Sequence, residues 1–310
     1  MQIVIDPKSK PCPGVERAIS IVEEAAGRGE RLFSIGKLIH NSKEVNRLKD
    51  IGLEVIEKKS LYKKTVLKKT AGNGFLIRAH GEIPENITQA RKAGMVIVDA
   101  TCPIVQHSQD VVEQHVREGW SVIIVGKPEH PEVKGLLARA KGYGIVISNL
   151  HEIDSVDSSK RHILLAQSTI DKNLFDKIRV ALNKKISNLK IFDTTCRFIS
   201  NRIGEIQEFV KDFDLILFVG GKDSSNLGLL YKSAKKIVNN CHRIEEPEEI
   251  DPEWLRDVER IGIAGGASTP RWQMEDVRLF LDQLLIKKNP DGLINRKGGK
   301  FLWWIRKNRK

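Results

Sequence analysis

The sequence predicts an α/β fold, with three α/β domains related by a pseudo-threefold axis and mostly parallel sheets around a common centre. Three observations predict it. Apolar runs of β character alternate with amphipathic helical stretches along the whole chain. Cysteines recur with a near-constant period, 90 residues from Cys12 to Cys102 and 94 from Cys102 to Cys196, and a further 90 reaches Ile286. Two of them close the same phrase after an apolar run, Asp99-Ala100-Thr101-Cys102 and Asp193-Thr194-Thr195-Cys196.

The elements follow in order. In the first unit, residues 1–98, Cys12 precedes a helical pattern of Val15, Ala18, Ile19, Val22 and Ala25. Phe33-Ser34-Ile35 reads as a strand leading to His40, and Arg78-Ala79-His80-Gly81 as a second strand end. In the second unit, residues 99–190, Val105, Val111, Val112 and Val116 form the helix after Cys102, Val122 to Val125 leads to His130, and Gln167-Ser168-Thr169 ends another strand. In the third, residues 191–286, Ile199, Ile203, Ile206 and Val210 follow Cys196, Leu215 to Val219 leads to Ser224, and Gly265-Gly266-Ala267-Ser268 ends the set. Pro13 and Pro103 stand where a helix tolerates proline, in its first turn. Each cysteine is therefore expected at a strand-to-helix turn. His40, His130 and Ser224 each lie 28 residues after their cysteine, while His80, Ser168 and Ser268 follow at 68, 66 and 72. This period is too long for a stacked solenoid.

Composition sets the outer bounds. The chain has 310 residues, of which 40% are hydrophobic and 30% charged, a soluble globular balance of two or three domains. Its longest apolar runs, such as Leu215 to Val219, are too short to span a bilayer. The start, Met1-Gln2-Ile3-Val4-Ile5-Asp6-Pro7, lacks a cationic segment before an apolar one, so no secretory signal and a cytoplasmic location are expected. Four cysteines are too few for a disulfide scaffold, and Cys241, outside the period, reads as structural. The net charge of +12 is concentrated in residues 287–310, where nine Lys or Arg against Asp291 hold +8. Any nucleic-acid reading would rest on that tail.

Ligands of parallel α/β sheets bind at the carboxyl ends of the strands. Three such units would gather three cysteines and six polar tips at one cleft. A thiolate is favoured at a helix N-terminus, and three cysteines without a Cys-x-x-Cys pair suit an iron-sulfur cubane with an open iron better than a zinc site. The ordinary alternative, three small buried apolar residues, does not account for their matched positions.

The chain resembles the 4-hydroxy-3-methylbut-2-enyl diphosphate reductase family, the last enzymes of the non-mevalonate isoprenoid pathway. The resemblance is carried, in family order, by Cys12-Pro13-Gly14-Val15-Glu16-Arg17-Ala18-Ile19, Ile39-His40-Asn41, Ala79-His80-Gly81, Asp99-Ala100-Thr101-Cys102-Pro103, His130-Pro131-Glu132-Val133-Lys134-Gly135, Asp193-Thr194-Thr195-Cys196, Lys222-Asp223-Ser224-Ser225-Asn226 and Gly266-Ala267-Ser268. It implies a central 4Fe-4S cluster held by Cys12, Cys102 and Cys196, its fourth iron open to the substrate alcohol. It implies a diphosphate held by His40, His80, Ser224, Asn226 and Ser268, with Ser225 and His130 close by and no lysine clamp. Glu132 becomes the candidate acid and proton relay, with Ser168 orienting the alcohol and His130 beside them. The reaction takes two electrons, delivers protons, and releases the hydroxyl as water to leave isopentenyl and dimethylallyl diphosphate. A ferredoxin or flavodoxin is the implied electron donor, to a monomer with no integral membrane association and no nucleic-acid partner. The chain departs from the family pattern at Pro11 and Pro13, at Ile199, and at Ser168, where threonine is usual.

Two other readings stay open on the residues. One is another three-cysteine cubane enzyme, a dehydratase or quinolinate-synthase-like lyase, which has no need of the His-Pro-Glu and Ser-x-Asn segments. The other is a non-enzymatic iron-sulfur regulator, suggested by the aromatic and basic tail Phe301 to Lys310, whose blandest reading is packing on a neighbouring domain.

Overall fold

The computed structural model describes residues 1–62 and 71–288. The basic tail from residue 289 onward lies outside the described residues. Three four-stranded parallel sheets make up the framework. The first contains β2 (Leu32–Ile35), β3 (Leu53–Ile56), β4 (Gly74–Ile77) and β5 (Val96–Asp99), in the order β3-β2-β4-β5. The second contains β6 (Ser121–Val125), β7 (Gly144–Ile147), β8 (His162–Ala166) and β9 (Leu189–Ile191), ordered β7-β6-β8-β9. The third contains β10 (Leu215–Val219), β11 (Cys241–Ile244), β12 (Arg260–Gly265) and the N-terminal strand β1 (Gln2–Ile5), ordered β1-β12-β10-β11.

Placing β1 in the third sheet corrects the expectation that residues 1–98 form one unit. Gln2, Ile3, Val4 and Ile5 pair with Arg260, Ile261, Gly262 and Ile263. The reason is visible in the repeat. A short strand runs up to each cysteine, β1 to Cys12, β5 to Cys102 and β9 to Cys196, and closes the sheet of the preceding unit. For Cys12 the preceding unit is the last, so the two ends of the repeat meet and the ring closes.

The helix after each cysteine then packs on the next sheet. α1 (Pro13–Gly27) buries Val15, Ala18, Val22 and Ala25 against Leu32, Leu53 and Leu76. α2 (Ser42–Asp50) and α3 (Pro84–Lys92) complete the first unit's helices. α4 (Pro103–Arg117) sets Val111 and Val112 on Val122, Ile124, Ile163 and Leu165, followed by α5 (Pro131–Arg139) and α6 (Lys172–Lys185). α7 (Arg197–Val210) sets Ile206 and Val210 on Ile216 and Phe218, followed by α8 (Ser225–Ala234) and α9 (Arg271–Lys288). Strands β8 and β10 are buried at every residue because helices cover both faces, which is why they read as unbroken apolar runs. Truncating a core residue such as Phe218 to alanine should cost about 3–5 kcal/mol. Among the described residues no helix is long and apolar enough to cross a membrane.

Candidate active site

Every cysteine of the period is the residue that caps a helix start, with extended backbone: Cys12 before α1, Cys102 before α4 and Cys196 before α7. Each is pinned in the same way. The backbone N–H of Cys102 donates to the Ala79 carbonyl at 3.0 Å, that of Cys196 to Ser168 at 2.9 Å, and that of Cys12 to Ala267 at 3.0 Å. The acceptors are the second strand ends of the three units, so the hydrogen bond that sets each cysteine also sets the polar tip beside it. Gly14 lets two thiol-bearing turns meet, since a Cβ there would stand 3.1 Å from Cys102 Sγ.

The three thiols line one cleft that holds about 680 Å³ of space not filled by atoms. His40, His80, His130, Ser168, Ser224, Ser225, Asn226 and Ser268 line the same cleft, beside apolar Val15, Ile39 and Val105. Glu132 stands just behind it, fully buried. All of the site residues expected from sequence therefore converge, from strand ends of three sheets. Cys241 does not: it is buried in the core with Ile206 and Phe218, where loss of solvent pushes its thiol up to about 12.

At Cys12 and Cys196 the helix-start dipoles do not prevail over burial. Burial raises the Cys12 thiol despite the opposing N–H groups of Val15 and Gly14, and burial likewise raises Cys196 against those of Ile199 and Phe198. Without a cation these groups stay protonated thiols, so a metal would have to displace the protons.

The three histidines form a triangle, with ring centroids 4.8 Å apart for His40 and His80 and 5.3 Å from His130 to each. Burial depresses all three, His130 to about 3 and His80 well below its ordinary value, so at neutral pH they are uncharged. Their ligand atoms all lie within 4.8 Å of one another, a spacing open to a metal ion. The His130 tautomer argues for a different guest. Its Nδ1 accepts the Glu132 N–H at 3.3 Å, which leaves the proton on Nε2 as a donor. His40 Nε2, His80 Nδ1 and Asn226 Nδ2 are buried without partners, while Asn226 Oδ1 is engaged at 2.6 Å by the Ala267 N–H. Buried donors left unpaired are costly unless something accepts from them. The donor chemistry of this side of the cleft suits an oxygen-rich anion.

Glu132 is fixed by one residue on both oxygens. Oε1 accepts the Ser168 N–H and Oε2 the Ser168 hydroxyl, each at 2.7 Å. Burial outweighs those two bonds and raises its carboxyl to about 7, so it exchanges a proton near neutrality.

Sequence reasoning passed over several positioning groups. Asn41, buried, donates to the Ser268 carbonyl at 3.0 Å and to Gln273 at 2.7 Å, and accepts the Glu44 N–H at 3.1 Å. Ser268 returns a bond from its hydroxyl to the His40 carbonyl at 3.2 Å. These bonds fasten the first unit to the third. Asn41 directly follows His40, a spacing that would have drawn attention to it.

Fold and cleft together define a three-sheet α/β protein with one cleft lined by residues of all three units. A match to the LytB protein family spans residues 3–282, and the chain belongs to that family. Its curated relatives include 4-hydroxy-3-methylbut-2-enyl diphosphate reductases of Bacteroides thetaiotaomicron, 38% identical over 93% of this chain and 99% of that one, and of Aquifex aeolicus, 33% identical over 92% and 97%. A solved structure of (E)-4-hydroxy-3-methyl-but-2-enyl diphosphate reductase, the terminal enzyme of the non-mevalonate pathway, superposes with a TM-score of 0.67 at 33% identity, over 91% of this chain and 99% of that one. The Plasmodium falciparum E-1-hydroxy-2-methyl-but-2-enyl-4-diphosphate reductase shares the fold, with a TM-score of 0.80 at 24% identity over 92% of this chain and 88% of that one. The chain is accordingly an oxidoreductase.

Proposed function

We propose that this protein reduces (E)-4-hydroxy-3-methylbut-2-enyl diphosphate to isopentenyl and dimethylallyl diphosphate at a 4Fe-4S cluster held by Cys12, Cys102 and Cys196. The observation that carries the reading is the make-up of one cleft, with three thiols along one part and unpaired neutral donors along another. That donor chemistry fits both guests: soft sulfur for iron, N–H and O–H groups for phosphate oxygens. Held by Cys12, Cys102 and Cys196, such a cluster would supply electrons one at a time and Lewis acidity towards the substrate hydroxyl.

The chain's own residues do the rest. His40, His80, Asn226, Ser224, Ser225 and Ser268 bind the diphosphate and so orient the allylic alcohol. Binding an anion against three neutral histidines favours their protonation, so the site gains charge as the substrate arrives. The net reaction takes two electrons and two protons, one for the departing water and one for carbon. Glu132 accepts from the Ser168 hydroxyl while ionised. Once Oε2 is protonated the bond reverses, Oε2–H donates to Ser168 Oγ, and the Ser168 O–H turns to the alcohol and delivers a proton as it takes one from Glu132. The apolar walls exclude bulk water from the allylic chain. Electrons come from a ferredoxin or flavodoxin, the protein acts as a monomer, and its place is the cytoplasm.

Anaerobic purification and iron analysis test the assignment. About four irons per chain are expected, lost on Cys12→Ser, Cys102→Ser or Cys196→Ser and kept on Cys241→Ser. A wild-type chain that stays colourless and iron-free after reconstitution would overturn it.

A further inference from the structure

Diphosphates are strongly anionic, yet the donors that line this cleft are neutral. Arg78, the nearest buried cation, is offset by Glu82 at 3.3 Å. The repeat supplies other cations at the rim. A Gly-Lys step recurs at the same place in all three units, with Lys37 25 residues after Cys12, Lys127 25 after Cys102 and Lys222 26 after Cys196.

The three lysines differ in what holds them. Lys222 is tied to Glu249 at 2.6 Å. Lys37 lies 3.9 Å from Asp223 and donates to the Ser42 hydroxyl at 3.0 Å. Lys127 has no carboxylate at ion-pair distance among the described residues. Its ammonium donates instead to the hydroxyl of Ser225 at 3.1 Å, across from the second unit to the third, and Ser225 lines the cleft. The backbone beneath it is fixed, because its N–H donates at 3.0 Å to Gln167, which is fully buried. The root is anchored and the charged end is exposed, held by one neutral hydroxyl. His130 stands three residues further on in the same loop.

We infer that Lys127 is a substrate-binding residue, whose ammonium leaves Ser225 to pair with the diphosphate and supplies a positive charge that is in place before the substrate arrives. The inference rests on the diphosphate reading above. It makes Lys127 the active member of the repeated lysines and Lys222 a surface ion pair. A charged hydrogen bond from a partly solvated lysine should change affinity roughly tenfold. The contribution should fade with salt, because the approach is from solvent.

Inorganic pyrophosphate serves as the probe, titrated calorimetrically into the full chain as wild type, Lys127→Met, Lys127→Arg and Lys222→Met, at low and high ionic strength, with circular dichroism to verify folding. The expected result is binding roughly tenfold weaker in Lys127→Met with a flatter salt dependence, near-normal binding in Lys127→Arg, and no change in Lys222→Met. In turnover the KM of Lys127→Met should rise by a similar factor, with kcat kept. Equal affinity and equal salt dependence in wild type and Lys127→Met would overturn the role of Lys127 and leave the diphosphate reading standing. Wild-type protein that binds neither pyrophosphate nor substrate would overturn both.

Discussion

Ser168 engages both carboxylate oxygens of Glu132, through its backbone N–H and its hydroxyl, each at 2.7 Å. The same residue gives its carbonyl to the Cys196 N–H. One serine thus links the carboxyl that holds a proton near neutrality to the turn that carries a thiol.

Replacing Glu132 with glutamine keeps the shape and removes the proton. Turnover should fall by about 10²–10⁴ while pyrophosphate affinity changes little. With a carboxyl near 7 as donor, wild-type kcat should decline as pH rises through about 7. Steady-state kinetics from pH 6 to 8.5 would check this, and a flat wild-type profile would count against the assignment. Ser168→Thr should retain most activity because the hydroxyl remains, whereas Ser168→Ala should not.

The same carboxyl couples to stability. A folded-state value near 7 lies above the unfolded one, so this contribution is fully present below about 4 and lost as pH rises to about 7, in all about 3 kcal/mol. The histidines act in the opposite sense. Their depressed folded values give stability above about 6.5 that is lost as pH falls. The stability of wild type relative to Glu132→Gln should therefore rise as pH falls from 7.5 to 5, in urea titrations of the metal-free proteins. A difference that does not vary with pH would remove the carboxyl from that role.

Anion binding should draw protons into the histidine triangle. In Glu132→Gln, where no carboxyl contributes, the heat of pyrophosphate binding at pH 7 should vary with the ionisation enthalpy of the buffer and report proton uptake. Uptake should shrink towards pH 8.5. Identical heats in phosphate-free buffers of different enthalpy would show that the three rings stay neutral.

Asn41 joins the first and third units through bonds to Ser268 and Gln273, and caps its own helix through the Glu44 N–H. Asn41→Ala leaves buried partners unsatisfied and should cost about 2–4 kcal/mol in chemical denaturation. Because Ser268 and His40 lose their register, pyrophosphate should also bind more weakly. A variant of normal stability would mean that water replaces the amide.

Much of this architecture was legible because it repeats. Cys12, Cys102 and Cys196 announced three strand-to-helix turns, and the shared spacing to His40, His130 and Ser224 pointed to one set of strand ends. What was not legible depends on contacts between distant segments. The pairing of Gln2–Ile5 with β12 needs the ring to close, which no local pattern reveals. A helix N-terminus favours the charged form of Cys12 and Cys196, but the depth at which their turns are buried decides that balance, and depth is not written in the local sequence. Gly14 reads as an ordinary helix residue until Cys102 is seen against it. Lys127 is one lysine among many in the sequence, and the bond that sets it apart, to Ser225, joins residues 98 positions apart.

The central claim is that this cleft reduces the allylic diphosphate. Anaerobically prepared, iron-loaded protein should be given (E)-4-hydroxy-3-methylbut-2-enyl diphosphate and a low-potential chemical reductant, and the products separated. The account predicts multiple turnovers to isopentenyl and dimethylallyl diphosphate, abolished in Cys196→Ser. An iron-loaded wild type that binds the substrate and returns it unchanged would contradict it.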